Sequence, residues 1–369
     1  MNSQGGEEAA WRSLEAFRRK IDRIDDGIVS LLSRRMAAAE EIGRLKRKHG
    51  LGVTDLEREK QILERLVSRR AQGLDPGEIR KIFSGIIAAC RSIQEPCSIA
   101  FLGPEGTFTH QAAIHLYGKK AACRPFTLLE EVFEHVSASQ CDFGIVPMEN
   151  SYAGPVGETL DCFSQYDLFI QAEVRLSIRH HLLTRSRTLE EVRCLYSHPM
   201  ALAQCRRWIR ARLPSVRITE VESTAGAAFM ASRDPSAAAV GSRLAGELYE
   251  VPVLEKGIAD RRDNITRFAA VGRSPADRGP SGRDRTSLLL VLEHRPAALF
   301  HALACLAQRG VNLTRIDSRP LRSAKWEYLF FLDLEGHALE DPLAMALTGL
   351  KERCLNMKLL GSYPREEDP

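Results

Sequence analysis

The chain has 369 residues, which is room for about two or three domains, and its 44% hydrophobic content supports real cores. Its 52 basic and 48 acidic residues nearly balance at a net charge of +4, so composition alone does not indicate nucleic-acid binding. There is no apolar run of signal-peptide or membrane-span type, and the nine scattered cysteines form no CxxC pair. We therefore expect a cytoplasmic protein with reduced thiols, without a membrane or nucleic-acid partner and without a metal site.

Residues 10–95 have the apolar periodicity of three helices. The first is expected from about 11 to 48, the second from Thr54 to about Arg70, and the third after a cap at Asp75. One helix is far too long for a lone three-helix bundle. We therefore expect its apolar side to pack on a second chain, which makes the protein a homodimer or a higher homo-oligomer.

Two cations lie on the apolar side of the first helix. At about 100° per residue, Arg35 falls within about 40° of Ile28 and Ile42, and Lys46 lies about 20° from the same line. A buried, unpaired cation costs several kcal/mol, so an anionic group should meet them. Further polar residues continue the apolar stripes of the other two helices: Asp55, Arg58, Glu59, Cys90 and Gln94.

Two interpretations fit these inward-facing residues. One is a set of buried ion pairs at a dimer seam. The other is a water-excluded pocket for a small anion that carries more than one carboxylate and a hydroxyl, with arginines holding the carboxylates. The convergence of six charged or amide residues on one core favours the pocket; these are Arg35, Lys46, Asp55, Arg58, Glu59 and Gln94.

Residues 14–94 resemble the all-helical chorismate mutases, with the patterns R-x-x-I-x-x-I-D from Arg18 and D-x-x-R-E from Asp55. The resemblance implies an intertwined dimer that rearranges chorismate to prephenate without a cofactor, by restraint and preorganised charge. In this family Arg18 reaches across from the partner chain, Lys46 and Gln94 act catalytically at the ether oxygen, and Cys90 stands where Ser is usual. A thiol is a weaker donor, so we expect weaker substrate binding. The implied chorismate-binding set is Arg18, Arg35, Lys46, Asp55, Arg58, Glu59, Cys90 and Gln94.

From residue 97 to 273, short apolar runs of strand type alternate with helical stretches, which predicts an α/β domain with a mainly parallel sheet. Ligands of such folds lie at the carboxyl ends of the strands. Several motifs fall at these junctions, and each hydroxyl in them could be a simple helix cap. They are GPEGTFTH (103–110), PMEN (147–150), YSHP (196–199), ESTA (222–225) and NITRF (264–268).

Together these motifs resemble prephenate dehydratase, over about residues 98–272. The resemblance implies a two-lobed fold like that of periplasmic binding proteins, in which prephenate loses carbon dioxide and water to give phenylpyruvate. Thr266 is the implied catalytic contact to the leaving hydroxyl, whereas His110 and His198 are assigned to capping or packing. The implied prephenate-binding set is Glu149, Asn150, Ser197, Gln204, Ser223, Thr224, Thr266, Arg267 and Phe268.

Residues 285–363 follow a linker-like stretch and have the βαββαβ pattern of a ferredoxin-like domain. They resemble an ACT domain, an amino-acid-sensing module, which implies feedback control by phenylalanine. Ala297 stands where the family has Gly and Asp317 where it has Glu, so we expect altered or weakened sensitivity. The implied effector-binding residues are Ala297, Ala298, Leu299, Asp317, Ser318, Arg319 and Pro320.

The three resemblances together are those of the bifunctional P-protein family, whose two substrates are successive dicarboxylates. Two alternatives remain open from the sequence. The helical part could be a degenerate dimerisation arm of a monofunctional dehydratase, or the chain could be a non-enzymatic amino-acid sensor. No cofactor is implied.

Overall fold

A computed structural model of the chain describes residues 4–48, 56–68, 75–94, 97–119, 121–276, 279–320 and 328–366. The chain divides into two compact units, Met1–Pro96 and Cys97–Pro369, and each has its own fold. Within the described ranges, no helix combines the length and the apolar character needed to cross a membrane.

The first unit is built from the helices α1 (Gln4–Lys48), α2 (Leu56–Ser68) and α3 (Pro76–Gln94). The cap of α3 is confirmed, because Asp75 Oδ1 accepts the backbone N–H groups of Gly77 at 2.6 Å and of Glu78 at 3.0 Å. The start predicted for α1 near residue 11 is wrong by about two turns, because acidic and alanine residues between 4 and 10 favour a helix start. The predicted ends of the second helix, Thr54 and Arg70, lie outside the described residues.

The apolar side of α1 is largely exposed in the single chain. Its buried positions include Ala39 and Gly43, close to the part of the helix that carries Arg35. A helix of 45 residues spans about 67 Å, which is more than α2 and α3 can cover. The exposed large apolar residues of α1 are Trp11, Leu14, Phe17, Ile21, Ile24, Ile28, Val29, Leu31, Ile42 and Leu45.

The second unit begins with two lobes, each a sheet with helices on it. The strands are β1 (Ser98–Leu102), β2 (Ala122–Phe126), β3 (Phe143–Asn150), β4 (Gly154–Pro155), β5 (Phe169–Ser177), β6 (His181–Thr184), β7 (Cys194–Ser197), β8 (Arg217–Glu220), β9 (Ala237–Gly241), β10 (Val253–Glu255) and β11 (Ile265–Gly272). The helices are α4 (Phe108–Tyr117), α5 (Leu129–Ser137), α6 (Gly157–Gln165), α7 (Pro199–Gln204), α8 (Arg206–Arg212), α9 (Thr224–Arg233) and α10 (Arg243–Leu248).

The sheet of the first lobe has the order β2-β1-β3-β11-β5, and that of the second lobe has the order β10-β6-β9-β7-β8. Strands β1, β2 and β3 are parallel to one another, as are β7, β8 and β9. The prediction of a mainly parallel sheet is wrong, because β11 pairs antiparallel with both β3 and β5, and β6 pairs antiparallel with β9 and β10. The chain leaves the first lobe after β5 and returns to it through β11, so β11 runs opposite to both β3 and β5.

The C-terminal part of the second unit has the βαββαβ order that the sequence predicts. Its four-stranded antiparallel sheet has one face covered by its own two helices and the other packed on the core of the first lobe, and its strands run in the order β13-β14-β12-β15. Its elements are β12 (Asp284–Leu292), α11 (Ala298–Ala307), β13 (Leu313–Pro320), β14 (Tyr328–Glu335), α12 (Asp341–Lys351) and β15 (Asn356–Pro364).

Strand β15 approaches β5 closely at Gly361. A Cβ atom at Gly361 would lie 2.5 Å from the carbonyl oxygen of Ile170, and the backbone there has a φ of +145°. Both features favour glycine. This close approach brings the C-terminal sheet into van der Waals contact with the sheet that carries β11.

Candidate active sites

Arg35 points from α1 toward α3. Its Nη1 atom lies 2.6 Å from Cys90 Sγ and 3.4 Å from the backbone oxygen of Ile86. Cys90 is only 3% exposed, and Arg35 is half-buried. The structure therefore brings together two residues of the predicted chorismate set, and both contacts use the same guanidinium nitrogen. The remaining N–H groups are directed to no described side chain and can bind a carboxylate.

The other members of the chorismate set stay predictions. Arg18 is exposed on α1. The rest lie outside what the structure describes, Asp55 as a whole residue and four others in their side chains: Lys46, Arg58, Glu59 and Gln94.

Asn150, the last residue of β3, has a fixed amide orientation. Its Oδ1 atom accepts the backbone N–H groups of Tyr152 and Ala153, each at 3.0 Å. A backbone N–H can only donate, so the amide nitrogen must point the other way. That nitrogen, Nδ2, donates to Thr266 Oγ1 at 2.8 Å and to Asn264 Oδ1 at 2.7 Å.

Thr266 thus receives a hydrogen bond on its oxygen. Its side chain is almost buried at the start of β11, and no described group accepts its hydroxyl hydrogen. The hydroxyl hydrogen is therefore available for donation to a ligand. The sequence prediction that Asn264 and Thr266 share a face agrees with this geometry, since the same amide of Asn150 contacts both.

The chain of hydrogen bonds that begins at Asn150 continues through Asn264 and Gln204 to His180. Asn264 Nδ2 donates to Gln204 Oε1 at 2.9 Å, and His180 Nε2 lies 2.8 Å from the same oxygen. Because an amide oxygen only accepts, His180 must carry its hydrogen on Nε2. The imidazole Nδ1 is then an acceptor, and this buried atom has no hydrogen-bond partner in the described structure.

His180 is the residue that sequence reasoning missed. It is 3% exposed, and burial lowers the pKa of its imidazole, with the nearby His181 acting in the same direction and the hydrogen bond to Gln204 opposing. The sequence Arg179-His180-His181 does not by itself indicate a functional site. A signal existed only in its position, directly after β5, where the chain crosses between the lobes.

The two histidines that the sequence assigned to capping or packing behave in that way. His110 stacks on Phe101 and accepts the Gly106 N–H on Nδ1 at 3.1 Å. His198 is the N-cap of α7 and accepts the Met200 N–H. No group of three or more His, Cys, Asp or Glu side chains within the described ranges could hold a metal ion.

Several members of the predicted prephenate set have structural partners. Ser223 caps α9 by accepting the Gly226 N–H at 2.9 Å, and Thr224 begins that helix. Ser197 is fully buried and donates to the Val240 carbonyl at 2.8 Å. Phe268 lies in the hydrophobic core behind Thr266, because residues two apart on a strand share a face. Contact of Ser197 and Phe268 with the substrate stays a prediction.

Arg267 also differs from the expectation of a substrate contact. Its guanidinium is 3% exposed and lies 2.6 Å from Asp333, 3.0 Å from Glu173 and 3.2 Å from Glu149. Adjacent residues of a strand point to opposite faces, so Arg267 faces the C-terminal sheet while Thr266 faces α4. Glu149 is in turn 3.4 Å from Arg315, and its side chain is 34% exposed, whereas those of Glu173 and Asp333 are fully buried.

A cavity of about 940 Å³ lies beside the crossing between the lobes, next to His180. Phe108 and Gln111 of α4 contribute to its wall, on the face of the first sheet to which Thr266 belongs. Its wall holds five Lys or Arg side chains and no Asp or Glu. These cations are Arg179, Arg243, Lys256, Arg261 and Arg262.

The positive charges around this cavity act on the imidazole of His181, which is part of its wall. The pKa of His181 is lowered first by burial and then by the positive charges of Arg179, Arg243 and Lys256. In the described structure Arg261 pairs with Asp263, and Arg243 with Glu247. The cavity is thus an electropositive space suited to an anion with more than one carboxylate.

In the C-terminal part, Ala297 adopts a left-handed backbone conformation, with φ of 65° and ψ of 6°. This is the position where the sequence expected a family glycine. Asp317 lies 2.5 Å from Arg315, and Arg319 lies 2.9 Å from Asp161 of α6. Ser318 and Pro320 are exposed on the same strand, whereas Ala298 and Leu299 pack at the start of α11.

Two family models match the chain: chorismate mutase type II over residues 17–95 and prephenate dehydratase over residues 99–276. The bifunctional chorismate mutase/prephenate dehydratase of Aquifex aeolicus (strain VF5) is 42% identical over 356 residues, which are 95% of this chain and 98% of that protein. The solved structure of a prephenate dehydratase from Arthrobacter aurescens, in complex with L-Phe, has a TM-score of 0.68 and 35% identity, and covers 73% of this chain and 90% of its own. The structure of GqqA, described as a novel type of quorum quenching acylases, has a TM-score of 0.68 and 32% identity, and covers 73% of this chain and 98% of its own.

A helical unit with an inward-facing arginine, joined to a two-lobed α/β unit with an oriented threonine, defines an enzyme with a chorismate mutase part and a prephenate dehydratase part. The chain belongs to the bifunctional chorismate mutase/prephenate dehydratase family. It rearranges chorismate to prephenate and converts prephenate to phenylpyruvate in phenylalanine biosynthesis. Of the interpretations open from the sequence, the comparisons support two activities rather than a degenerate arm or a sensor.

Proposed function

We propose that the two reactions take place in separate sites, one in each unit. In the helical unit, Arg35 holds a carboxylate of chorismate beside Cys90, Arg58 holds the other, and Arg18 reaches in from the partner chain. Lys46 and Gln94 face the ether oxygen, and Asp55 and Glu59 the hydroxyl. The contact between Arg35 and Cys90 supports this assignment, because it places a guanidinium with unused donors against a buried wall.

In the dehydratase, Thr266 donates to the departing hydroxyl of prephenate. The bond to the leaving carboxylate breaks and its electron pair enters the ring. The hydroxyl takes up a proton that comes from solvent by way of the Thr266 hydroxyl, and it leaves as water. Thr is a weak acid by its free pKa, so its contribution depends on orientation. The hydrogen bond from Asn150, held by Asn264 and Gln204, supplies that orientation.

The carboxylates of prephenate need cations that are not already neutralised. Arg267 is unsuited to this task, since its charge is taken up by buried carboxylates. The electropositive cavity beside His180 is the best source of such charge, and Lys256 and Arg262 in its wall have no described ion pair. We assign the carboxylates of prephenate to this cavity.

The helical unit works as an intertwined homodimer. The exposed apolar side of α1 supports this proposal, because leaving so many large apolar side chains in water forgoes about 25 cal/mol for each Å² of apolar surface. A second copy of the same helix is the partner that the family resemblance implies.

All nine cysteines are free, which is consistent with a cytoplasmic protein.

The C-terminal part, residues 285–363, is proposed to be an ACT domain that binds phenylalanine and reduces dehydratase activity. Its βαββαβ order supports this, as does the L-Phe in complex with the Arthrobacter dehydratase. The left-handed Ala297 supports weakened sensitivity. A non-glycine residue in this conformation is strained by about 1 kcal/mol. The loop that carries Ala297 before α11, here called the effector loop, is therefore less able to close.

The single observation that carries the dehydratase assignment is the hydrogen bond from Asn150 to Thr266. Thr266→Val removes the hydroxyl but keeps the shape, and Thr266→Ser keeps the hydroxyl. We expect Val to reduce kcat for prephenate by about 100-fold or more and Ser to retain most of it. A Val variant with wild-type kcat would exclude Thr266 as the group that donates to the departing hydroxyl of prephenate.

A further inference from the structure

Two connections between the lobes meet at the side chain of Gln204. His180 lies in the connection that leaves β5 for the second lobe, and Asn264 lies in the connection that returns to β11. Gln204 is the last residue of α7, which belongs to the second lobe. Its Oε1 atom lies 2.8 Å from His180 Nε2 and accepts from Asn264 Nδ2 at 2.9 Å. One amide oxygen is therefore shared by residues of both connections.

The main chains of His180 and Gln204 are both bound to the returning connection. The carbonyl oxygen of His180 accepts the Ile258 N–H at 2.9 Å, and that of Gln204 accepts the Asp260 N–H at 2.8 Å. These bonds fix the two backbones relative to each other. They leave the direction of the Gln204 side-chain amide to be set by the groups around it.

The imidazole of His180 is a rigid hydrogen-bond donor. It is 3% exposed, and it packs edge-on against Phe108, with ring centroids 5.6 Å apart and ring planes at 79°. Its hydrogen is on Nε2, because the amide oxygen opposite can only accept. A ring packed in this way has little freedom to turn, whereas the unbranched side chain of Gln204 has several rotatable bonds.

The two donors together determine which end of the Gln204 amide faces them. In the reverse orientation, Nε2 of Gln204 would meet two other donors, His180 Nε2 and Asn264 Nδ2, and no hydrogen bond would form at either contact. Without the donor of His180, only Asn264 would oppose that reversal. His180 therefore supplies half of the restraint on this amide.

The orientation of the amide decides what Gln204 offers to a ligand. Because Oε1 is bound to His180 and Asn264, Nε2 is on the opposite side, and no described group accepts its hydrogens. Gln204 is half-buried in the wall of a cavity of about 440 Å³ that Tyr152 and Met200 also line. The amide is thus left as a donor for a carboxylate or carbonyl oxygen of a ligand.

We propose that His180 is a positioning residue of the dehydratase and that it acts through Gln204. Its Nε2–H group holds the Gln204 amide in the orientation that leaves Nε2 for prephenate. The proposal rests on the place of Gln204 in the prephenate-binding set. It gives the buried imidazole a function that requires no contact with the substrate.

The test is His180→Phe in the full chain, assayed separately with prephenate and with chorismate. Phe keeps a planar ring and removes the donor. We expect kcat/KM for prephenate to fall about tenfold or more. Chorismate turnover in the same sample should be unchanged, because its site lies in the other unit.

His180→Gln is the conservative variant, since its amide can present an N–H group to the same oxygen. We expect it to keep kcat/KM for prephenate within about threefold of the unaltered chain. A loss equal to that of His180→Phe would show that the donor is not what matters, and it would overturn the proposal.

A second substitution shows whether His180 acts through Gln204. Gln204→Leu should itself lower kcat/KM for prephenate about tenfold or more, because the donor to the ligand is lost. Adding His180→Phe to that chain should lower it by less than about twofold further, since the group to be positioned is already absent. A further loss as large as that of His180→Phe alone would show that His180 acts independently of Gln204, which would overturn the proposal.

His115→Phe is the matched control. His115 is an exposed residue of α4, the helix that also carries Phe108, and its nearest acidic group is Glu366 at 3.8 Å. The variant should leave both activities unchanged. A tenfold fall in this control as well would overturn the assignment to the His180 donor.

Wild-type kcat/KM for prephenate in a folded His180→Phe chain would also overturn the proposal. If His180→Phe fails to fold, His180→Asn decides, because its side chain is polar but too short to reach Gln204; the same criteria then apply. The place of Gln204 is checked by Gln204→Leu alone. If that variant keeps its kcat/KM, the fault lies in the assignment of Gln204 to the prephenate site. If it loses activity while His180→Phe is fully active, the fault lies in the positioning role.

Discussion

Asn150 Nδ2 lies 2.8 Å from Thr266 Oγ1, and the two backbone N–H groups bound to the other end of the amide leave it no alternative orientation. This relationship leaves the hydroxyl hydrogen of Thr266 free to be donated, which is the basis of the role proposed for it. It is established by residues from three segments of the chain, 150–153, 204 and 264–266, that meet where the lobes join.

Asn150→Asp should test this relationship with little change in shape. A carboxylate still accepts the N–H groups of Tyr152 and Ala153, but it accepts the hydroxyl hydrogen of Thr266 instead of donating to its oxygen. We expect kcat for prephenate to fall about tenfold or more, with chorismate turnover as the internal control. Wild-type kcat for prephenate would show that the orientation of Thr266 does not limit the reaction.

Ala297→Gly should relieve the left-handed backbone at the predicted effector loop. We expect the free energy of unfolding to rise by up to about 1 kcal/mol, and phenylalanine to inhibit the dehydratase at lower concentration. Ala298→Gly is the matched control, since Ala298 is the first residue of α11 and glycine there should destabilise by up to about 1 kcal/mol. Calorimetric titration of phenylalanine into both variants measures the binding; tight binding by the unaltered chain would remove the weakened sensitivity from the account.

Arg262→Gln should test the electropositive cavity. Loss of one cation facing a carboxylate should raise the KM for prephenate by about tenfold and change kcat little. Arg210→Gln removes an exposed cation from α8, outside the cavity wall, and should have no effect. Equal KM values in the two variants would place the carboxylates of prephenate elsewhere.

Acid should destabilise the second unit through His180. Burial lowers the folded-state pKa of this imidazole from an unfolded value of 6.5, so the unfolded chain takes up protons first. The free energy of unfolding should therefore decrease as pH falls below 6.5, toward the folded-state pKa. His110 and His181 contribute in the same direction, since burial lowers the pKa of each.

His180→Gln should flatten that pH dependence, whereas the exposed His294→Gln should not. Thermal unfolding of the three chains at a series of pH values from about 7.5 to about 5 measures the difference. If the free energy of unfolding of His180→Gln falls with decreasing pH as steeply as that of the unaltered chain, His180 is not a source of the pH dependence.

Local patterns predicted much of the fold. Runs such as SIAFL and AAAVG are strands because they are short, apolar and bounded by turn residues, and the caps at Asp75 and Ser223 follow from local chemistry. The antiparallel return of β11 was not predictable from its own residues, since strand direction depends on where the chain crosses between lobes.

The site was predictable where a motif marks it and not where distant residues build it. Asn150 and Thr266 lie in marked motifs. The buried carboxylate partners of Arg267 are Glu173 of the same lobe and Asp333 of the C-terminal sheet. Both lie far from it along the chain, so no local pattern in TRF could indicate burial among carboxylates. His180 lies between β5 and β6, next to a second histidine, and only its contact with Gln204 shows its relation to the site.

The central claim is that one chain holds two independent sites, and Arg35→Ala tests it most directly. Purified chains would be supplied with chorismate alone and, separately, with prephenate, following chorismate loss and phenylpyruvate formation. Arg34→Ala, an exposed neighbour on the same helix, is the control.

The account predicts that Arg35→Ala loses chorismate turnover by about 100-fold or more and converts prephenate at the rate of the control. Consumption of chorismate at the control rate by Arg35→Ala would contradict the helical site. So would equal loss of both reactions in a folded dimer, which would mean that the two sites are not independent.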